Sequence, residues 1–183
     1  MLGFIPLPCF NDDNFTELLN LVYQTAPLAQ DMYINGPIQA DIWAATTNHV
    51  ATVSVRVDDV DPFGHATPLS NGLLDARFRA VDPSRSRTLD GQSIQPWHPF
   101  TEASLQPVTP GQVMRLPIEV FPTAALIKAG HRLRVAVGPS NLPQGIPTGD
   151  QLLQNQFGTL SVYNDPNHPS SVLLPLVPAS VLH

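Results

Sequence analysis

Several short runs of this chain alternate strictly between apolar and polar residues. The alternation is clearest where Val53, Val55 and Val57 are separated by Ser54 and Arg56. The same period recurs in four other runs, at residues 38–44, 74–80, 133–137 and 157–163. A period of two places neighbouring side chains on opposite faces of a β-strand. Each run is therefore predicted to be a strand with one buried face.

The stretch 118–137 is predicted to form the centre of an antiparallel sheet. It holds two strands, and Pro122 is expected to end the first because proline lacks the N–H that a ladder position requires. A single helical turn at 124–128, left by Gly130 in a left-handed conformation, would then join the two strands. Apolar residues at helical spacing also predict a turn or two of helix at residues 12–22.

The positions of the prolines predict long, irregular loops between some of the strands. The chain has 20 prolines, and residues 82–110 are divided by several of them into pieces too short for ordinary elements. A long loop is predicted there, with a second proline loop at 139–149 and an edge strand at 171–177. About seven to ten strands separated by turn signals indicate an all-β domain of two packed antiparallel sheets, a β-sandwich or jelly roll with one or two short helical turns.

The charge pattern argues against several classes of partner. Charged residues make up 13% of the chain, the formal net charge is -6 and Lys128 is the only lysine, so neither a nucleic acid nor an anionic membrane is an expected partner. No apolar run approaches the roughly 20 residues of a membrane-spanning helix. Residues 1–10 lack the basic region of a signal peptide. Cys9 is the only cysteine, so no internal disulfide can form, and a cytoplasmic location is favoured.

Motifs for catalysis and metal binding are incomplete. Residues 91–95 and 138–142 begin like the Gly-x-Ser-x-Gly elbow of serine hydrolases but lack its second glycine. Residues 59–64 are similar to the start of a calcium loop, yet Ser70 stands where an acidic ligand is required, so a tight turn is preferred. The six histidines show no metal-ligand spacing. No catalytic residue, metal ligand or cofactor site is predicted, although a triad assembled only by the tertiary structure stays open.

Six segments carry a resemblance to a known family. In chain order they are residues 23–31, 36–43, 55–64, 94–101, 121–134 and 140–143. They look like the C-terminal domain of the X-Pro dipeptidyl-peptidase and cocaine esterase group of serine hydrolases. The C-terminal forty residues match that pattern only loosely.

The resemblance implies a galactose-binding-like jelly roll that packs on an α/β-hydrolase catalytic domain and helps to shape its active-site entrance. In that group the catalytic domain precedes this module and carries the triad serine, histidine and aspartate, which have no counterparts here. Residues 1–183 would form one domain, with 1–13 a lead-in from a catalytic domain and 14–183 the jelly roll. The parent enzyme would hydrolyse esters or amides, X-Pro dipeptides included, through an acyl-enzyme.

Aromatic residues are predicted to form the interface with that catalytic domain. The expected contact residues are Trp97, His98 and Phe100 in the long loop and Phe4 and Phe10 near the start. Simple loop packing is the alternative role of His98. The alternative function is a free-standing carbohydrate-binding module that uses Trp43 and Trp97, and self-association of the isolated domain through the same face is a third hypothesis.

Overall fold

The computed structural model describes residues 12–139, 141 and 158–182, which form an all-β architecture. The strands of this described part are β1 (Leu21–Gln24), β2 (Met32–Thr46), β3 (Thr52–Val60), β4 (Ala66–Asp75), β5 (Arg87–Leu89), β6 (Gln92–Gln95), β7 (Met114–Ile127), β8 (Arg132–Gly138), β9 (Leu160–Asp165), β10 (His168–Pro169), β11 (Ser171–Leu173) and β12 (Leu176–Pro178). Three short 3₁₀ turns accompany them, at Ala76–Phe78, Glu102–Ser104 and Ala179–Leu182.

The strands form two main antiparallel sheets. The first sheet has the order β1-β8-β3-β4. In the second, the long strand β2 pairs with β7 along one side, while β9, β11 and β12 share the other side. β10 pairs antiparallel with β9 at the edge of this sheet, and β5 and β6 form a separate hairpin. The predicted all-β class with packed antiparallel sheets is confirmed, whereas the jelly-roll connectivity stays a prediction.

The hydrophobic core lies between the two sheets. One buried cluster joins apolar residues of β3 and β8 in the first sheet to those of β2 and β7 in the second, among them Val53, Val55, Val57, Leu133, Ile34, Ile38, Ile42, Leu116 and Ile118. Burial of each such side chain contributes about 1.5–3 kcal/mol. The alternating runs therefore face the core as the sequence predicts, and the polar side of β3 and β8 is left facing outward.

Strand β7 runs through Pro122 to Ile127, so the prediction that Pro122 ends a strand is wrong. The pairing register between β2 and β7 shifts between Gly36 and Ile38, which leaves Pro122 in a bulge where no ladder N–H is needed. The helical turn predicted at 124–128 is also wrong, because residues 124–127 continue β7 and pair with β2. β7 and β8 belong to different sheets, so the prediction that residues 118–137 form the centre of one antiparallel sheet is wrong. Gly130 between them does have a positive φ of 83°.

The strands predicted at 38–44, 53–57, 133–137 and 157–163 are confirmed with changed boundaries. The strand predicted at 74–80 is wrong beyond Asp75, and the loop predicted at 82–110 contains the β5–β6 hairpin. β4 ends at Asp75, whose side chain accepts a hydrogen bond from the Arg77 N–H and so begins a 3₁₀ turn. The predicted edge strand at 171–177 is two strands, β11 and β12. Residue 157 and most of the loop at 139–149 lie outside the described residues. Within the described ranges, no helix has the length and apolar character to cross a membrane.

Candidate docking surface

Residues 12–20, here called the anchor segment, cover the polar face of the first sheet. The segment is a series of turns, in which the Glu17 N–H donates to the Asp13 carbonyl at 3.0 Å and the Asn20 N–H donates to the Glu17 carbonyl at 2.9 Å. Because β3 alternates, Arg56 and Asp58 lie opposite the core valines, and the anchor segment closes over them. Their exposed fractions are 2% and 0%.

Asp13 makes the first attachment of the anchor segment. Its carboxylate lies 3.3 Å from the Arg56 guanidinium, and both side chains are almost fully buried. Arg56 Nη1 also donates to the Thr16 hydroxyl at 2.7 Å. The backbone N–H of Asp13 donates to the Ala66 carbonyl at 2.9 Å, so the segment is bonded to the start of β4 as well. Charge-assisted bonds of this kind are stronger than neutral ones.

Glu17 makes the second attachment, one turn later. Its Oε2 lies 3.0 Å from Arg134 Nη1, with the Glu17 side chain 2% exposed. The same nitrogen donates to Asn14 Oδ1 at 2.6 Å, and Asn14 Nδ2 donates to the Gly64 carbonyl at 2.8 Å. The anchor segment is thus held by two strands of the sheet and by the turn between β3 and β4.

Asp58 completes a buried acidic cluster with Asp13 and Glu17. One carboxylate oxygen from each of the three lies within 4.8 Å of the others. Burial, followed by the nearby carboxylates of Glu17 and Asp13, raises the pKa of Asp58 to about 10. Asp58 is therefore protonated at neutral pH.

Charge balance favours a proton over a metal ion in this cluster. Carboxylate oxygens are ligands that calcium and magnesium accept, and the spacing would admit a cation. However, Arg56 and Arg134 already contribute two positive charges against three carboxyl groups. A single proton on Asp58 brings the group to neutrality, whereas a divalent ion would leave an excess positive charge in a buried place, which is costly.

The outward side of the anchor segment is apolar. Phe15, Leu18 and Leu19 are 74%, 72% and 91% exposed. In the edge strand β1, Val22 is 43% exposed and pairs with Ala136, the partner of Arg56, so it points to the same outer face of the sheet. The helix predicted at 12–22 is wrong, because residues 13–19 form turns and residues 21–22 belong to β1. Ion pairs to Arg56 and Arg134 hold the acidic side inward, so the apolar side faces outward. We call the exposed residues Phe15, Leu18, Leu19 and Val22 the apolar surface. Leu21 and Tyr23 pair with Val137 and Val135 and point to the opposite face of β1.

The predicted interface residues of the long loop have different environments. Trp97 is 41% exposed and Phe100 61% exposed. The Arg85 guanidinium lies over the Trp97 ring at 4.0 Å from its centroid, so one face that a sugar could stack on is already covered. Phe100 has a positive φ of 51° and lies near the Phe78 ring. Phe4 and Phe10 lie outside the described residues, and the interface itself stays a prediction.

His98 is buried and joins the long loop to the second sheet. Its Nδ1 lies 3.0 Å from the Ala80 carbonyl oxygen and its Nε2 lies 2.8 Å from that of Pro117. The ring therefore bridges the start of the long loop and β7 within the domain. These contacts supply the packing role that the sequence offered as the alternative for His98.

Two further histidines contact aspartates without forming a triad. His131 Nδ1 lies 2.8 Å from Asp59 Oδ1, and His168 Nδ1 lies 3.1 Å from Asp165 Oδ2. Within the described part of the chain, neither ring is hydrogen-bonded to a serine hydroxyl. The calcium-loop-like segment forms a tight turn, in which Asp61 Oδ1 accepts from the backbone N–H groups of residues 63 and 65.

The comparison with protein families decides what kind of domain this is. Residues 10–173 match the family described as the X-Pro dipeptidyl-peptidase C-terminal non-catalytic domain. The chain belongs to this family. The resemblance found in six sequence segments is thereby confirmed, and this C-terminal domain is part of longer hydrolase chains in its relatives.

Curated relatives and solved structures agree with that assignment. A Mycobacterium bovis protein assigned as a serine esterase is 27% identical over 173 residues, covering 92% of this chain and 26% of its own. Cocaine esterase from Rhodococcus is 22% identical over 165 residues, covering 86% and 25%. The chain therefore spans about a quarter of the length of these relatives.

The fold of the C-terminal domain recurs in solved structures. A CocE/NonD family hydrolase from Staphylococcus aureus superposes with a TM-score of 0.70 at 18% identity, covering 86% of this chain and 30% of that one. An aminopeptidase from a marine sediment archaeon has a TM-score of 0.68 at 19% identity, covering 91% and 27%. At these identities the likeness concerns the fold alone.

Sequence reasoning missed the anchor segment. The signal was present, because Asp13 and Glu17 are spaced by four residues and two arginines lie on the polar faces of predicted strands. However, the helical spacing of the apolar residues in the same segment favours burial of the apolar side. The local sequence does not show whether the apolar side or the acidic side faces the sheet.

Proposed function

We propose that this chain is an accessory domain that packs against an α/β-hydrolase catalytic domain and helps to form the wall of its active-site entrance. The observation that carries the proposal is the match of residues 10–173 to a domain described as C-terminal and non-catalytic. Its relatives are longer proteins of which this region is about a quarter. The remaining three quarters would contain the hydrolase domain and its catalytic residues.

The proposed parent reaction is hydrolysis of an ester or an amide. Relatives carry the names serine esterase and cocaine esterase, and such enzymes act through a serine nucleophile and an acyl-enzyme. The present chain would contribute shape and stability to that enzyme rather than reacting groups. Its role is to exclude water around the entrance and to hold the catalytic domain in one conformation.

A chimera tests whether this chain performs the accessory role. The matched C-terminal region of the Mycobacterium bovis relative is replaced by this chain, and the chimera is compared with the same relative truncated before that region. We expect the chimera to unfold at a higher temperature and to hydrolyse p-nitrophenyl esters for longer at a fixed temperature than the truncated protein. A chimera that behaves like the truncated protein would contradict the proposal.

The isolated chain provides a second test. It is incubated with p-nitrophenyl esters and with an X-Pro-nitroanilide, with and without a serine-directed phosphonate. No phosphonate-sensitive turnover is expected, because the nucleophile belongs to the other domain. Turnover that the phosphonate abolishes would show that this chain has its own catalytic serine and would overturn the non-catalytic role.

A further inference from the structure

We infer that the apolar surface on the anchor segment and β1 is the face that docks on the hydrolase domain, and that its occupant is an apolar patch of that domain. This inference rests on the proposed function and specifies which surface performs it. It differs from the sequence-based expectation, which assigned the interface to Trp97, His98 and Phe100 and to the first ten residues.

The first argument is the orientation of the anchor segment. An amphipathic segment on an isolated domain normally buries its apolar side and exposes its charges. Here Asp13 and Glu17 are 1% and 3% exposed, whereas Leu18 and Leu19 are 72% and 91% exposed. Contiguous exposed apolar residues mark interaction sites. Here two buried ion pairs hold the acidic side inward, and the apolar residues are exposed as a result.

The second argument is the charge of the surface. The acidic side chains of the anchor segment at positions 13 and 17 point inward to Arg56 and Arg134. Apart from the Asp12 carboxylate, which accepts hydrogen bonds from the Asn14 and Ala66 N–H groups, the outward side presents aromatic and aliphatic groups together with uncharged polar ones. Such a surface is complementary to an apolar protein patch, and it does not suit a nucleic acid or an anionic lipid headgroup.

The third argument is preorganisation. The segment is bonded to β3 through Arg56, to β8 through Arg134 and to the β3–β4 turn through Gly64. The same turn carries Phe63, which is 96% exposed. A surface that is already ordered loses little conformational entropy on docking.

The relatives identify the occupant. In them, about three quarters of the chain lies outside the matched region, and the family is described as C-terminal. A hydrolase domain is therefore covalently attached to this domain in each such protein, at high effective concentration. A second copy of this chain would also cover the apolar surface, and the experiment separates these two occupants.

The experiment compares two double variants in the chimera described above. Leu18→Ser with Leu19→Ser removes the centre of the apolar surface, and Leu89→Ser with Leu105→Ser removes two exposed leucines elsewhere, 62% and 44% exposed. Both double variants are first made in the isolated chain, where unchanged unfolding temperatures show that the fold is kept. In the chimera, the docking variant should lose most of the gain over the truncated relative, and the control variant should retain it.

Hydrogen exchange supplies a readout independent of activity. Amides 15–19 should exchange at least tenfold more slowly in the chimera than in the isolated chain, and the docking variant should abolish that difference. If the chimera is stabilised but neither variant changes it and these amides are not protected, the inference fails and the proposed function stands. If the chimera gains nothing over the truncated relative, the proposed function itself fails. If the isolated chain dimerises at micromolar concentration and the docking variant makes it monomeric, the occupant is a second copy, and the inference is overturned.

Discussion

Gly72 of β4 lies directly against the backbone carbonyl of Glu119 in β7. A Cβ atom at position 72 would stand 2.2 Å from that oxygen and 2.9 Å from the Val120 Cα. The two strands belong to different sheets, and the Ser70 and Thr123 hydroxyls also donate across the gap to backbone carbonyls of β7 and β4, respectively. The absence of a side chain at position 72 is therefore what allows the sheets to meet at this edge.

Gly72→Ala is expected to lower the free energy of unfolding by about 3 kcal/mol, because the added methyl meets backbone that cannot rotate away. Urea denaturation measures the change. Gly91→Ala is the control: its Cβ would meet nothing within 4 Å, and the cost comes only from its φ of 81°, about 1 kcal/mol. Equal losses in the two variants would contradict a steric role for Gly72.

Asp58→Asn should change how stability depends on pH. Burial raises the pKa of Asp58 to about 10 from 3.8, so folding takes up a proton between those values. The free energy of unfolding therefore falls as pH rises through this range, and the loss is complete above about pH 10. The amide retains a donor toward Glu17 but does not titrate, so the variant should be more stable than the parent at pH 9.

Urea unfolding at pH 5, 7 and 9 checks the Asp58 prediction. Asp90→Asn, which removes a carboxylate from the exposed hairpin turn, serves as the matched control. An Asp58→Asn protein with the parental slope would show that Asp58 is ionised in the folded state. A rise in unfolding temperature on adding calcium would instead favour a cation over the proton.

Arg56→Met is expected to cost about 3–5 kcal/mol, because the buried Asp13 carboxylate loses the cation that compensates it. Arg115→Met removes an ion pair with Asp41 whose arginine side chain is 55% exposed, and such surface pairs contribute at most about 1 kcal/mol. Thermal and urea unfolding of both variants measure the difference. Similar costs would mean that burial does not determine the importance of these pairs.

His98→Ala should detach the long loop from the second sheet. It removes a buried ring and leaves the Ala80 and Pro117 carbonyls without the partner that the ring supplies, which costs about 1–3 kcal/mol for the lost hydrogen bonding. Trp97→Ala, one position earlier and 41% exposed, is the control and should cost less. Faster hydrogen exchange across residues 82–110 in the first variant alone would confirm the bridging role.

Proline shows how far local sequence rules extend. The rule that Pro122 ends a strand failed because the β2–β7 register shifts at that point, and a bulge needs no N–H from the residue that it leaves unpaired. The rule held at Pro175, which lies between the separate strands β11 and β12. Whether a proline breaks a strand depends on the partner strand, which the local sequence does not reveal.

The strands that bury one face were predictable from the sequence, because period-two alternation is a property of neighbouring residues. Because side chains alternate between the two faces of a strand, Val53, Val55 and Val57 share one face, and that face packs in the core. The resemblance to the family was likewise evident from the sequence alone, in six segments that match it in chain order.

The orientation of the anchor segment was decided only by the tertiary structure. Its apolar residues have helical spacing, and that pattern predicts burial when it is considered alone. The interaction that opposes this burial is the ion pair between Glu17 and Arg134, which are 117 positions apart. This pair stabilises the fold only after the anchor segment lies against strand β8. Local periodicity therefore determined the layers of this domain, whereas long-range electrostatics determined which surface it offers to a partner.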